Sequence, residues 1–96
     1  MKALIETCGS MKINELLSKA ERWTQHAMAR DHHGLKTDPK DPKAVCWCLM
    51  GAVIKCYESE KGEIVKKLQE QIYSLFAFND NSSHEMVLKL VKRLDI

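Results

Sequence analysis

From Ile13 onward, apolar side chains recur at the three- and four-residue steps that share one face of an α-helix: Ile13, Leu16, Leu17, Ala20, Trp23, Ala27 and Met28. Glu15, Lys19 and Arg22 fall on other faces. Glu15 also stands one turn before Lys19, the favourable order for an i,i+4 ion pair. The pattern predicts a first helix from about Lys12 to Arg30, with Trp23 the place for a bend or break. Asp31 to Lys43, "DHHGLKTDPKDPK", interrupts the periodicity and reads as a loop. Gly34 can supply a positive φ there, and Pro39 and Pro42 pre-set turns. Asp41-Pro42 then reads as a helix start, with Asp41 the N-cap and Pro42 the first helical residue.

The second predicted helix, Pro42 to about Tyr57, contains "AVCWCLMGAV" (Ala44–Val53) and is apolar almost all round. A helix of that kind has to be covered on most sides, which makes it the central helix of the core. Gly51 costs about 1 kcal/mol relative to alanine inside a helix, an expense explained by a backbone or a tryptophan ring packing closely against it. A third helix, capped by Ser59 and running to about Ala77, carries Ile64, Val65, Leu68, Ile72, Leu75 and Phe76 on its inward face. The stretch "FNDNSSHE" reads as a polar turn, with Ser82-x-x-Glu85 as a capping box. The last helix sets Met86, Val87, Leu90, Val91 and Leu94 against Lys89, Lys92 and Arg93 on its other side. No alternating strand pattern is present. The expected fold is all-α: a compact single-domain bundle of four main helices around the central apolar helix Pro42–Tyr57. Residues 12–96 form the domain, and residues 1–11 are a lead-in.

Composition narrows the function classes. The 96 residues carry a net charge of only +2, with Lys and Arg scattered among Asp and Glu. A nucleic-acid binder of this size is usually more basic and clusters its charge. Aromatic residues, at 6%, are too few for a stacking platform. No run approaches the roughly 18 apolar residues of a membrane span, and the start lacks the apolar run of a signal peptide. The cytosol is therefore the expected compartment. Its reducing poise argues against reading Cys8, Cys46, Cys48 and Cys56 as a disulfide framework.

The cysteines also fail as a metal set. On a helix, Cys46 and Cys48 would point about 200° apart, and Cys48 and Cys56 would lie about 12 Å apart along the axis. Zinc sites use paired Cys-x(2–4)-Cys spacings, which are absent, and His32-His33 sits in a polar loop. Asn79-Asp80-Asn81 lacks the glycine and the final acidic residue of a calcium loop. No metal and no cofactor is expected. Cys46, near a helix N-terminus, is the best nucleophile candidate, with His26, His32, His33 or His84 as base and Asn79 or Asp80 as orienter. Burial in an apolar helix would raise its pKa, however, and the sheet that usually carries the histidine is missing. No catalytic residue is assigned.

The two polar turns are more promising. Asp31, His32, Asp38 and Asp41 come from one, and Asn79, Asp80 and Asn81 from the other. An antiparallel bundle can bring both turns to one end, as a polar rim around Trp23 and Trp47.

Three stretches occur in order between Trp23 and Asp95: "WTQHAMARDHHG", "AVCWCLMGAV" and "FNDNSSHEMVLKLVKRLD". Together they resemble a small family of bacterial and phage domains of unassigned function. Its members share W-T-Q, A-x-D-x-x-G, A-x-x-W-C-x-x-G-A, and W-N-D before a final helix. The matching residues are Trp23, Thr24, Gln25, Asp31, Gly34, Ala44, Trp47, Cys48, Gly51, Ala52, Asn79 and Asp80. The chain departs at Phe78, where tryptophan is usual, and at His26, where glycine is frequent. The resemblance implies a domain with phage or mobile-element relatives and names no activity.

Loops and resemblance together single out Trp23, Gln25, Asp31, Asn79 and Asp80 as candidate ligand- or partner-binding residues. Trp47, Cys48 and Gly51 are the expected core. The leading expectation is a cytosolic helical interaction or regulatory domain that binds a protein partner, with no membrane role. The alternative is a small-ligand or hydrolytic site between the Asp31–Asp41 loop and the Asn79–Asp80 turn. Nucleic-acid association through Lys66, Lys67, Lys89, Lys92 and Arg93 ranks below both.

Overall fold

The computed structural model describes residues 11–96. The expected lead-in lies, but for Met11, outside them. The described residues open with a single turn, α1 (Ile13–Leu16), whose Ile13 and Leu16 are buried. Here the first departure from the sequence pattern begins. In place of one long helix, a short 3₁₀ turn at Ala20–Arg22 gives way to extended backbone at Trp23. A two-residue strand, β1 (Ala29–Arg30), then pairs antiparallel with β2 (Cys46–Trp47). The amides that a helix would have used locally are spent across the fold. Thr24 N donates to Trp47 O (3.0 Å), Val45 N to Arg30 O (2.9 Å) and Cys48 N to Met28 O (3.1 Å). The fold is mostly helical but not all-α.

The second correction concerns the central helix, which starts seven residues later than expected. Asp41 caps a turn and no helix: its carboxylate accepts from Lys43 N (2.8 Å) and its carbonyl from Ala44 N (3.0 Å). Cys46 and Trp47 then run extended, a conformation that suits aromatic residues on a pleated surface. Helix α2 (Leu49–Tyr57) has Cys48 as its N-cap, with the thiol sulfur accepting from Gly51 N at 3.3 Å. It buries Leu49, Gly51, Ala52, Val53 and Cys56, so the apolar stretch does supply the centre of the core.

The expected third helix is two. A 3₁₀ turn at Glu58–Glu60 leads into α3 (Lys61–Gln69); after a break comes α4 (Leu75–Asp80), capped by Ser74 and not by a continuing helix. Ser74 Oγ accepts from Ala77 N at 3.2 Å. The "FND" expected in a turn is therefore the last turn of α4. Helix α5 (His84–Arg93) starts one residue off the expected capping box, with Ser83 Oγ accepting from Met86 N. Leu68, Leu75, Val87, Leu90 and Val91 close the core against α1 and α2. Ile96 joins them, its carbonyl taking the Ile13 amide and the Tyr57 hydroxyl. Among the described residues, no helix is long and apolar enough to cross a membrane.

Candidate functional site

Asn79, in the last turn of α4, is fully buried and has every polar atom engaged. Its Oδ1 accepts from the Trp23 indole N–H (2.7 Å) and from Leu49 N (2.9 Å), the first amide of α2. Its Nδ2 donates to Thr24 O (3.0 Å) and to Asp80 Oδ1 (3.2 Å). The first amides of a helix have no partner within it. One side chain thus caps α2 from outside and fastens the extended 23–24 segment to both helices.

Gln25 extends the same joint. Its Nε2 donates towards Asn79 O (3.1 Å), Asp80 O (3.2 Å) and Ser82 O (3.1 Å). These carbonyls stand where α4 ends and its own amides have run out. Asp80 in turn holds the next residue: its Oδ1 accepts from His26 N (3.0 Å), and its Oδ2 lies 3.4 Å from His26 Nδ1. The His26 amide, aided by the Asn79 amide and the imidazole, keeps the Asp80 carboxyl below the usual range. His26 itself sits at φ 64°, in the left-handed region. The amide hydrogen bond to Asp80 holds the residue in that conformation, which is uncommon for a residue with a Cβ.

Asp31 belongs elsewhere. Its Oδ1 accepts from His33 N (2.9 Å) and Leu35 N (3.0 Å), which closes the turn through Gly34 at φ 81°. The Leu35 amide, followed by that of His33, lowers the Asp31 pKa. None of its hydrogen bonds reaches Asn79 or Asp80. Arg30 is the link between the two regions and carried no sign of this in the sequence. Its guanidinium donates to Thr24 Oγ1, Gln25 O and Gly34 O at 2.9–3.2 Å. The structure therefore brings Trp23, Gln25, Asn79 and Asp80 together and leaves Asp31 in its own loop.

No family model, curated protein or solved structure matches this chain.

The core candidates have specific neighbours. Trp47 is buried, with its indole N–H donating to Pro39 O (2.9 Å) and Lys55 Nζ 5.9 Å from its ring centre. A Cβ on Gly51 would stand 1.9 Å from the Met28 carbonyl oxygen, so the backbone just before β1 packs directly on α2. Cys48, 3% exposed, is a cap whose thiol pKa burial pushes up. A thiol of that kind is a poor nucleophile. The rotation that separates Cys46 from Cys48 on a helix does not apply here, since Cys46 lies in β2. The two sulfurs are turned to different partners: Cys46 Sγ to Arg30 O (3.9 Å) and Cys48 Sγ to Gly51 N. Among the described residues, no group of three or more His, Cys, Asp or Glu is placed to hold a metal ion.

The surface features that periodicity misassigned are apolar. Phe76, expected on an inward stripe, is 53% exposed, and so is Met86; Tyr73, in the break before α4, is 98% exposed. Tyr73 and Phe76 flank a cavity of about 470 Å³ floored by Met50, Val65 and Leu75. A second, of about 360 Å³, opens between His26, Met28, Cys48, Phe76 and Asp80. The only signal in the sequence was the excess of large apolar residues over what the α3–α4 stretch can bury.

Proposed function

We propose that this protein is a non-enzymatic interaction module that binds a protein partner through the side built from α4, α5 and the break before them. The observation that carries the reading is the exposure of Tyr73, Phe76 and Met86 within fourteen residues of each other along the chain. Aromatic residues and methionine are the types enriched at interface centres, and a protein of this size can offer the roughly 800 Å² per side of a standard interface. The polar residues that a ligand site would need are occupied. Every polar atom of Asn79 is satisfied within the fold, and Gln25 is committed to the end of α4. The resemblance to bacterial and phage domains is kept in this reading. The left-handed backbone at His26 supports it, because that is a conformation glycine adopts freely and the pattern often has glycine there.

The test is affinity capture from native extract with the tagged protein and with a Tyr73→Ser, Phe76→Ser, Met86→Ser variant. All three side chains are on the surface, so the variant should melt within a few degrees of the parent. A partner that survives salt washing on the parent and is lost from the folded variant is the expected outcome. Absence of any such partner, or equal retention by the variant, sinks the reading.

A further inference from the structure

A third depression, of about 300 Å³, lies between α4 and α5, away from the Asn79 joint. Its floor is Ile72, Phe78, Met86 and Leu90, and its rim is Lys89 and Arg93. Met86, Lys89, Leu90 and Arg93 follow one another at three- and four-residue steps, so a single face of α5 presents apolar floor and cationic rim together. Lys89 and Arg93 are exposed, and no acidic side chain lines the depression. Among the described residues neither cation is within ion-pair distance of a carboxylate, although Glu85 precedes Lys89 by one turn.

We propose that this groove docks an acidic amphipathic segment of the partner protein, with its apolar side chains over Phe78, Met86 and Leu90 and its carboxylates on Lys89 and Arg93. The inference rests on the interaction-module reading and gives it a partner chemistry. An amphipathic helix laid in a groove is a recurrent mode of peptide recognition, and methionine adapts its shape to the guest. Arg93 can take a carboxylate through two parallel N–H···O bonds. Two cations beside a recessed apolar floor suit a peptide better than a phosphate backbone, which is bound by many cations in a row. A second copy packed two-fold on the same face would set like charges against each other.

The experiment is fluorescence polarisation with a labelled synthetic peptide that has leucines at helical spacing and Glu and Asp between them. A matched peptide with Lys in place of the acids is the control. The parent should bind the acidic peptide at least roughly tenfold tighter than the basic one, with affinity falling as salt is raised. A Lys89→Glu, Arg93→Glu variant should reverse that preference, and binding of the basic peptide shows that the variant is folded. Equal affinity for both peptides, or an unchanged preference in the variant, overturns the proposal. So does tighter binding to anionic vesicles or duplex DNA than to the peptide, or a dimer that the double substitution strengthens. If the captured partner is retained by the double variant, the groove assignment fails and the interaction reading stands; if the parent captures no partner, the broader reading fails as well.

Discussion

Gly51 shows how two opposite effects are decided by distance. Replacing a glycine inside a helix with alanine gains about 1 kcal/mol from propensity alone. At this position the new methyl would meet the Met28 carbonyl oxygen at 1.9 Å, and a backbone atom held by the Cys48 amide cannot swing aside as a side-chain tip would. Overpacking costs about 1–3 kcal/mol even where the neighbours are side chains. Gly51→Ala should therefore destabilise the protein by about 2 kcal/mol or more in urea unfolding. A stabilised variant would mean that Met28 and α2 separate readily. The sequence showed that a close neighbour was needed at Gly51; which neighbour, a carbonyl of the strand region and not the Trp23 ring, depended on where residues 23–30 went.

Among the elements, the decisive event is the conversion of residues 23–30 and 44–47 from predicted helix to non-helical backbone that pairs as β1 and β2. Both stretches have apolar residues at helical spacing, yet Trp23, Thr24 and Gln25 gain more from distant partners than a local helix returns. The Trp23 indole and the Thr24 carbonyl bond to Asn79, Gln25 reaches three carbonyls, and Thr24 N finds Trp47 O. Local propensity differences amount to less than about 1 kcal/mol per residue, and tertiary bonding overrides them. Asn79 is the hinge of this arrangement. Asn79→Ala strands the Trp23 N–H, the Leu49 amide and the Thr24 carbonyl, each at a cost of about 1–3 kcal/mol when buried. Chemical denaturation should show a loss of about 3–5 kcal/mol, a large share of the stability of a small domain. Asp31→Ala, by contrast, removes only the closing bonds of an exposed turn and should cost about 1 kcal/mol or less. Equal losses for the two would contradict the separation of Asp31 from the joint.

For the whole molecule, charge sets the pH range of stability. Asp31, Asp41, Asp80 and Asp95 all titrate lower in the folded chain than their ordinary value, Asp80 chiefly because the His26 amide bonds its carboxylate. The stability they lend is complete above the unfolded carboxyl value of about 4 and is lost as pH falls through the lower folded values. Burial raises the Cys56 thiol to about 11, and the unfolded thiol ionises near about 8.5. That contribution is present below about 8.5 and is lost as pH rises towards the folded value. Unfolding free energy measured across pH should thus fall off on both sides, with Asp80→Asn flattening the acid limb and Cys56→Ala the alkaline one. A profile that does not fall below about pH 4 would contradict the carboxylate bonding. At this scale the amino-acid sequence by itself determined a mostly helical domain, the apolar centre at Leu49–Val53, the loop through Gly34 and the final helix, because burial and turn chemistry act locally on those residues. Only the tertiary structure decided that two predicted helices would yield to a small sheet, that Asn79 and Gln25 would bind the fold together, and that Tyr73, Phe76 and Met86 would face outward. The physical reason is that buried polar groups must find partners wherever the chain offers them, and the partners of the Trp23 indole, the Thr24 carbonyl and the Gln25 side-chain amide lie more than fifty residues away.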